Sequence, residues 1–311
     1  MGALPADAGL PLANTRSPSQ PSRPRAIPMI SNPTPSDAEV VRELVIRPRS
    51  GWIAIDWREL WEGRELLYFL VLRDIKVRYK QTVLGVAWAV LQPLFTMLIF
   101  TIVFGQFAKI PSEGLPYAVF VFAGLLPWTF FSSNISQAGM SLVNQQSLLT
   151  KIYLPRVFVP ASAIGGGLID LLVSLCVFAV LMAYYGIGVG PGVLVLPLLV
   201  AFAAAASLGV GLTLAALIVT YRDFRYVLPF LVQSWLYVSP VIYPVSMVPP
   251  RWQPLLALNP MVGIIDGFRS ALLGLPWNPT TMTVSALSSV VLLAYGLFYF
   301  RKTERSFADV A

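Results

Sequence analysis

Ionisable side chains are scarce in the apolar parts of this sequence, so the few that fall there are the first candidates for chemistry. Asp170 is the only charge between Arg156 and Arg222. If Pro160 marks the edge of a membrane, a helical rise of roughly 1.5 Å per residue carries Asp170 about 15 Å inward. A carboxylate at that depth needs a partner. Arg78, Lys80, Arg222 and Arg225 can supply one by snorkelling, as can the amides of Gln92 and Gln137 to a protonated acid; a structural buried pair explains the residue as well as a mechanistic one. Arg73, Lys76, Arg78 and Lys80 form a basic run that suits an anionic lipid surface, a diphosphate, or plain topology signalling. Trp88, Gln92, Phe95 and Ile99 recur at helical spacing, and Gln233, Trp235 and Tyr237 crowd a later stretch. Their aromatic faces and amides are a recognition pattern whose ordinary alternative is packing.

Catalysis starts from a deficit. The chain has no histidine, which removes the usual general base, the Ser/His/Asp and Cys/His nucleophile arrangements and imidazole metal sites. Its one cysteine, Cys176, lies inside an apolar run and reads as packing material. No Asp-x-Asp or close carboxylate pair stands beside a span on the outer face to hold a divalent metal, and no G-x-x-x-x-G-K-[ST] loop is present to cradle ATP. The expectation is no catalytic residue, no metal and no cofactor.

The elements that position these residues are written in the hydropathy. Of 311 residues, 56% are hydrophobic and 12% charged, too little charge for an ordinary soluble surface. Asp, Glu, Lys and Arg are absent from 81–108, 114–150, 171–221, 226–250 and 270–300. Each run matches or exceeds the roughly 20 residues that cross a bilayer as a helix. The formal charge of +7 does not point to nucleic acid, because the basic residues sit at the ends of apolar runs rather than on one soluble face. An all-α integral membrane fold follows, with six spans at about 83–105, 117–141, 160–185, 193–220, 226–243 and 281–300.

Lysines and arginines decide the orientation. With the amino terminus inside, sixteen of them flank the inner side from residue 42 onward and only Lys109, Arg251 and Arg269 fall outside, which places both termini in the cytoplasm. Residues 1–48, rich in Pro, Ser and Asn, read as a disordered cytoplasmic tail. The mixed segment 49–82 reads as an amphipathic interfacial helix, with a small solvated cap as its alternative, and 83–311 as the spanning domain. The outer segment 244–279 is long yet apolar. A pair of re-entrant or interfacial helices divided near Asn259-Pro260 fits it better than a solvated loop. Asp266 and Arg269, at i and i+3, would form a local pair there.

The stretches Arg73-Asp-Ile-Lys-Val-Arg-Tyr-Lys80, Leu84-Gly-Val-Ala-Trp88 with Gln92-Pro93, Ala123-Gly-Leu-Leu-Pro-Trp128, Leu148-Leu-Thr-Lys-Ile-Tyr-Leu-Pro155 and Leu258-Asn-Pro-Met-Val-Gly-Ile-Ile-Asp-Gly-Phe-Arg269 occur in order. Over residues 58–311 the chain thereby resembles the type-2 ATP-binding-cassette permeases that export O-antigen, capsule and teichoic-acid polysaccharides. The resemblance implies a homodimer of this chain with two copies of a separate ATPase subunit, moving a glycan linked to undecaprenyl diphosphate across the bacterial inner membrane. It implies a coupling helix in the 142–159 connection, with Gln145, Leu148, Leu149, Lys151, Tyr153 and Pro155 as its contacts. Trp88, Gln92, Phe95, Gln233, Trp235 and Tyr237 become candidates for the sugar path, and the basic run for the carrier diphosphate or lipid. Export of another bulky amphiphile, such as a drug or glycolipid, is the alternative within the class. A secondary transporter is disfavoured by the absence of a clear repeat and by the single intramembrane charge.

Overall fold

The computed structural model describes residues 61–80, 85–146 and 154–304, with the side chains of 79–89 excepted. The expected tail at 1–48 lies outside the described residues. Those described are helical throughout, joined by turns, with no strand among them. Five helical stretches are long and apolar enough to cross a membrane: Val90–Phe107, Tyr117–Asn144, Phe158–Tyr184, Pro191–Thr220 and Pro279–Glu304.

Helix α1 (Arg64–Lys80) precedes them. Its Leu66, Leu67 and Leu70 pack with Leu154, Val157 and Phe158, whereas Tyr68, Phe69 and Val77 face outward. Helix α2 (Gly85–Phe100) contains Pro93 and continues as a π-helical turn, Thr101–Phe107. The missing proline N–H and the wider turn both loosen the regular hydrogen-bond ladder there. Helix α3 (Tyr117–Asn144) is the central post, with most of its apolar length buried, and α4 (Phe158–Tyr184) and α5 (Leu196–Thr220) pack along it.

Small residues set the close approaches. Gly165 faces Val71 of α1, Gly166 faces Arg78, and Gly167 abuts the amide of Asn134 on α3, so three successive glycines each admit a different neighbour. Gly209 of α5 and Gly296 of α9 (Pro279–Glu304) meet backbone to backbone, and α9 packs along α5 as its principal partner.

The expected fifth span is where the sequence reading and the structure part. Helix α6 covers only Phe224–Val238, 15 residues. At about 1.5 Å per residue this is about 22 Å, short of the roughly 30 Å hydrocarbon core. Pro240 is the cause, because the residue before a proline is driven out of the α region, and Ser239 is extended with φ −94° and ψ 141°. The chain then turns through buried Val241 and Ile242. Beyond it come α7 (Gln253–Ala257) and α8 (Pro260–Leu273), divided at Asn259-Pro260. Helix α8 has 13 of its residues buried and stops at Gly274, whose φ of +71° suits a glycine C-cap.

Candidate functional site

Two polar clefts adjoin in this bundle. The first lies where α1 crosses the end of α3 and the start of α4, about 480 Å³ in volume, and is lined by Arg73, Asp74, Arg78, Asn144 and Gln145 among others. Arg73 donates to Gln145 Oε1 at 2.6 Å and to Asp74 Oδ1 at 2.7 Å, and Ser162 Oγ donates to Asp74 Oδ2 at 2.7 Å. These bonds fix α1 to both neighbours. They also join a residue from the expected coupling connection, Gln145, to one from the basic run, Arg73. Lys76 is exposed, and the Lys80 side chain lies outside the described residues.

Asp170 has a charged partner. Arg78 reaches from α1 to pair with it and also donates to Gln137 Oε1. Of the candidates drawn from sequence, Arg78 and Gln137 are therefore brought together with Asp170, whereas Arg222 and Arg225 are exposed at the start of α6.

Beyond this pair lies a second cleft of about 320 Å³ between α2, α3, α4 and α6. Gln92 and Asp170 line it, with Thr96, Thr129, Ser132, Ser133, Ser136 and Ser174 supplying hydroxyls. Sequence reasoning missed this row. The signal was present, since 129, 132, 133 and 136 follow the i, i+3, i+4, i+7 spacing of one helical face. Missed too was Asn134, wholly buried behind Gly167 with neither amide atom bonded among the described residues.

The other expected path residues scatter. Phe95, Gln233 and Tyr237 are exposed, and the Trp88 side chain lies outside the described residues. Trp235 is committed elsewhere: its indole N–H donates to Asn259 Oδ1 at 3.0 Å and its ring meets Phe131 edge-on. Leu148, Leu149, Lys151 and Tyr153 also lie outside the described residues. Pro155 precedes α4, and next to it Arg156 donates to the Glu304 carbonyl at 2.9 Å, tying the start of α4 to the end of α9.

At the far end, Asn259 caps α8 by accepting from the Met261 amide at 3.1 Å, and its Nδ2 donates to Ser239 Oγ at 3.0 Å. Pro260 follows at the first helical position, where its missing N–H leaves nothing unpaired. The expected pairing of Asp266 with Arg269 is not what forms. No ion pair joins them among the described residues. Arg269 is instead buried, donating to the carbonyls of Val241 (2.7 Å), Tyr243 (3.3 Å) and Phe120 (3.3 Å), with its guanidinium 3.7 Å from the Phe120 ring centroid. The non-helical turn after α6 needs donors for its carbonyls, and a guanidinium offers five. Gly124 makes room, since a Cβ there would fall 2.8 Å from Arg269 Nη2. Burial lowers the Arg269 pKa to about 10, with Asp266 opposing the shift, and raises that of Asp266 to about 6, with Arg269 opposing.

The ABC-2 type transporter family model matches residues 65–273, from α1 through α8 and hence both clefts and the Arg269 cluster. This chain belongs to the ABC-2 type transporter family. Among its relatives, the O-antigen export system permease protein RfbA of Myxococcus xanthus is 32% identical over 252 residues, covering 79% of this chain and 96% of that one. The polysialic acid transport protein KpsM of Escherichia coli is 26% identical, covering 76% of this chain and 93% of its own. The inner membrane transport permease YadH of Escherichia coli K12 is 27% identical, covering 74% and 93%. This ABC-2 permease is accordingly a multi-pass membrane protein, a transport component of the same class as those relatives.

Proposed function

We propose that the chain is the membrane-spanning subunit of an ATP-driven exporter that carries undecaprenyl-diphosphate-linked polysaccharide across the inner membrane. The observation that carries this reading is the likeness to permeases named for O-antigen export, over 79% of this chain and nearly all of theirs, in a family match that spans both polar clefts. The clefts fit such a substrate. Arg73 and Arg78 suit a diphosphate, and a hydroxyl-lined recess suits sugars. Two copies of the chain pair with two copies of an ATPase, and the 142–159 connection transmits the stroke. In this reading α6 and the turn after it complete a sixth crossing, both termini are cytoplasmic, and α7 and α8 form the re-entrant pair on the outer side. Helix α1 lies at the inner headgroups with Tyr68 and Phe69 outward.

Depletion of the chain in its own bacterium tests the substrate. Accumulation of a carrier-linked glycan inside the cell, with loss of surface glycan, is the expected result. Normal surface glycan together with retention of a different amphiphile would replace the polysaccharide reading.

A further inference from the structure

The two clefts meet at one ion pair. Arg78 and Gln137 line the first and Asp170 lines the second, and the Arg78 guanidinium bridges Asp170 and Gln137 across the boundary. The chemistry differs on the two sides. The first cleft holds two guanidinium groups and the Asp74 carboxylate paired with Arg73, whereas no Lys or Arg is among the described residues lining the second.

The second cleft presents mostly acceptors, with the Gln92 amide and the Ser133 and Ser174 hydroxyls as its donors. Thr96 donates to the Gln92 carbonyl at 2.9 Å, Thr129 to Leu125 at 2.8 Å, Ser136 to Ser132 at 2.7 Å and Ser132 to Thr129 at 3.3 Å. A hydroxyl has one proton and two acceptor sites, so each of these has its proton engaged within its own helix and keeps lone pairs for a ligand. Ser133 differs, because it accepts from Gln137 Nε2 at 2.7 Å and keeps its own proton. Asp170, an acceptor when ionised, completes the wall. With a carboxylate and no cation among its described lining residues, such a surface disfavours an anion, and its hydroxyls and amide bind a hydroxyl-bearing group. A free cation is not called for, because Arg78 already balances the carboxylate.

We propose that the second cleft is a binding site for a neutral, hydroxyl-bearing group, and that the Arg78–Asp170 pair closes it toward the first cleft. The inference rests on the polysaccharide reading above, in which the group is a glycosyl unit. An anion entering the first cleft competes with Asp170 for Arg78. As that pair loosens, the anionic and neutral parts of one molecule separate, the anion to Arg73 and Arg78 and the glycosyl unit to the hydroxyl row.

The test is thiol accessibility in the purified full chain, in lipid nanodiscs without ATPase or export. Cys176→Ala removes the one native thiol and Ser133→Cys places a reporter in the second cleft. Two water-soluble methanethiosulfonates are compared, a neutral glucosyl reagent and an anionic sulfonatoethyl one, each rate being normalised to that reagent's rate with a free thiol. With the pair intact both react slowly. Arg78→Gln should raise the glucosyl rate about tenfold or more while the sulfonate lags, and the exchange Arg78→Asp with Asp170→Arg should restore slow reaction. An unchanged rate in Arg78→Gln, or an exchanged pair as fast as the single variant, would overturn the closure. A sulfonate as fast as the glycoside would overturn the selection for neutral hydroxylated groups. Failure of the polysaccharide reading is seen separately, in the depletion experiment.

Discussion

Arg269 shows how one residue can have its sequence signal read correctly and its role read wrongly. Its charge within an apolar segment marked it, but the carbonyls it serves belong to a turn 26 and 28 positions away and to Phe120, 149 positions away. Arg269→Met should destabilise the purified chain by about 1–3 kcal/mol for each buried carbonyl left without a donor. Gly124→Ala should do so by about 1–3 kcal/mol through overpacking against the guanidinium, and the two changes together should fall short of their sum. Thermal unfolding of the four proteins in detergent checks this, and strict additivity would show that the contact is not shared. Asn134 gives the opposite expectation. Both amide atoms are buried and unbonded among the described residues, so Asn134→Leu should raise the melting temperature, and a fall would reveal a partner for the amide.

Asp266 gives a pH dependence whose sign is fixed by its raised pKa. The folded chain holds the proton up to about pH 6, against 3.8 as the ordinary value, so this group favours folding below about 3.8 and that contribution disappears as pH rises through about 6. Asp266→Asn should therefore stabilise the protein at pH 7 and above, with the gain gone near pH 4. Unfolding curves at both ends of that window decide it, and an equal gain at every pH would exclude ionisation as the cause.

At the scale of elements, the long charge-free runs became helices because a chain in hydrocarbon must bond its own backbone internally. Helix α6 is the instructive departure. Its run of apolar residues continues past Val238, but Pro240 stops the helix, and the freed carbonyls are met by Arg269, a donor that hydropathy does not weigh. The α5–α9 contact makes a sharper test. Any side chain at Gly296 would strike the Gly209 carbonyl, so Gly296→Ala must separate two backbones rather than rotate a side chain. A loss of about 1–3 kcal/mol or more is expected, seen as an earlier unfolding midpoint. An unchanged midpoint would mean that the two helices part easily.

For the whole molecule, topology and coupling are the expectations that carry furthest. Tags at the amino terminus, at 144–150, at 223–225 and at the carboxyl terminus should report from the cytoplasm, and tags at 111–114, 187–191 and 276–279 from outside; two reversals would remove the six-crossing arrangement. Lys151→Glu should leave insertion intact yet reduce co-purification of the ATPase, or uncouple its ATP turnover from surface glycan, because a charge and a few apolar anchors make that contact. Wild-type docking, turnover and glycan together would move the coupling role to residues 57–80.

The sequence by itself determined the helical membrane class, the division of the outer segment near Asn259-Pro260, and the need of Asp170 for a basic or amide partner. Each follows from a local rule: hydrocarbon thickness, proline geometry, or the penalty of an unpaired charge at depth. Only the tertiary structure decided which face of each helix meets which neighbour. Trp235 and Gln92 both looked like path residues, yet the first is held by Asn259 and Phe131 while the second lines the hydroxyl cleft. Spacing along one helix places side chains on a common face, but it cannot supply the glycine on another helix that lets them approach. In this chain Gly124 and Gly165 to Gly167 supply those approaches, and with them the Arg269 cluster and the paired clefts.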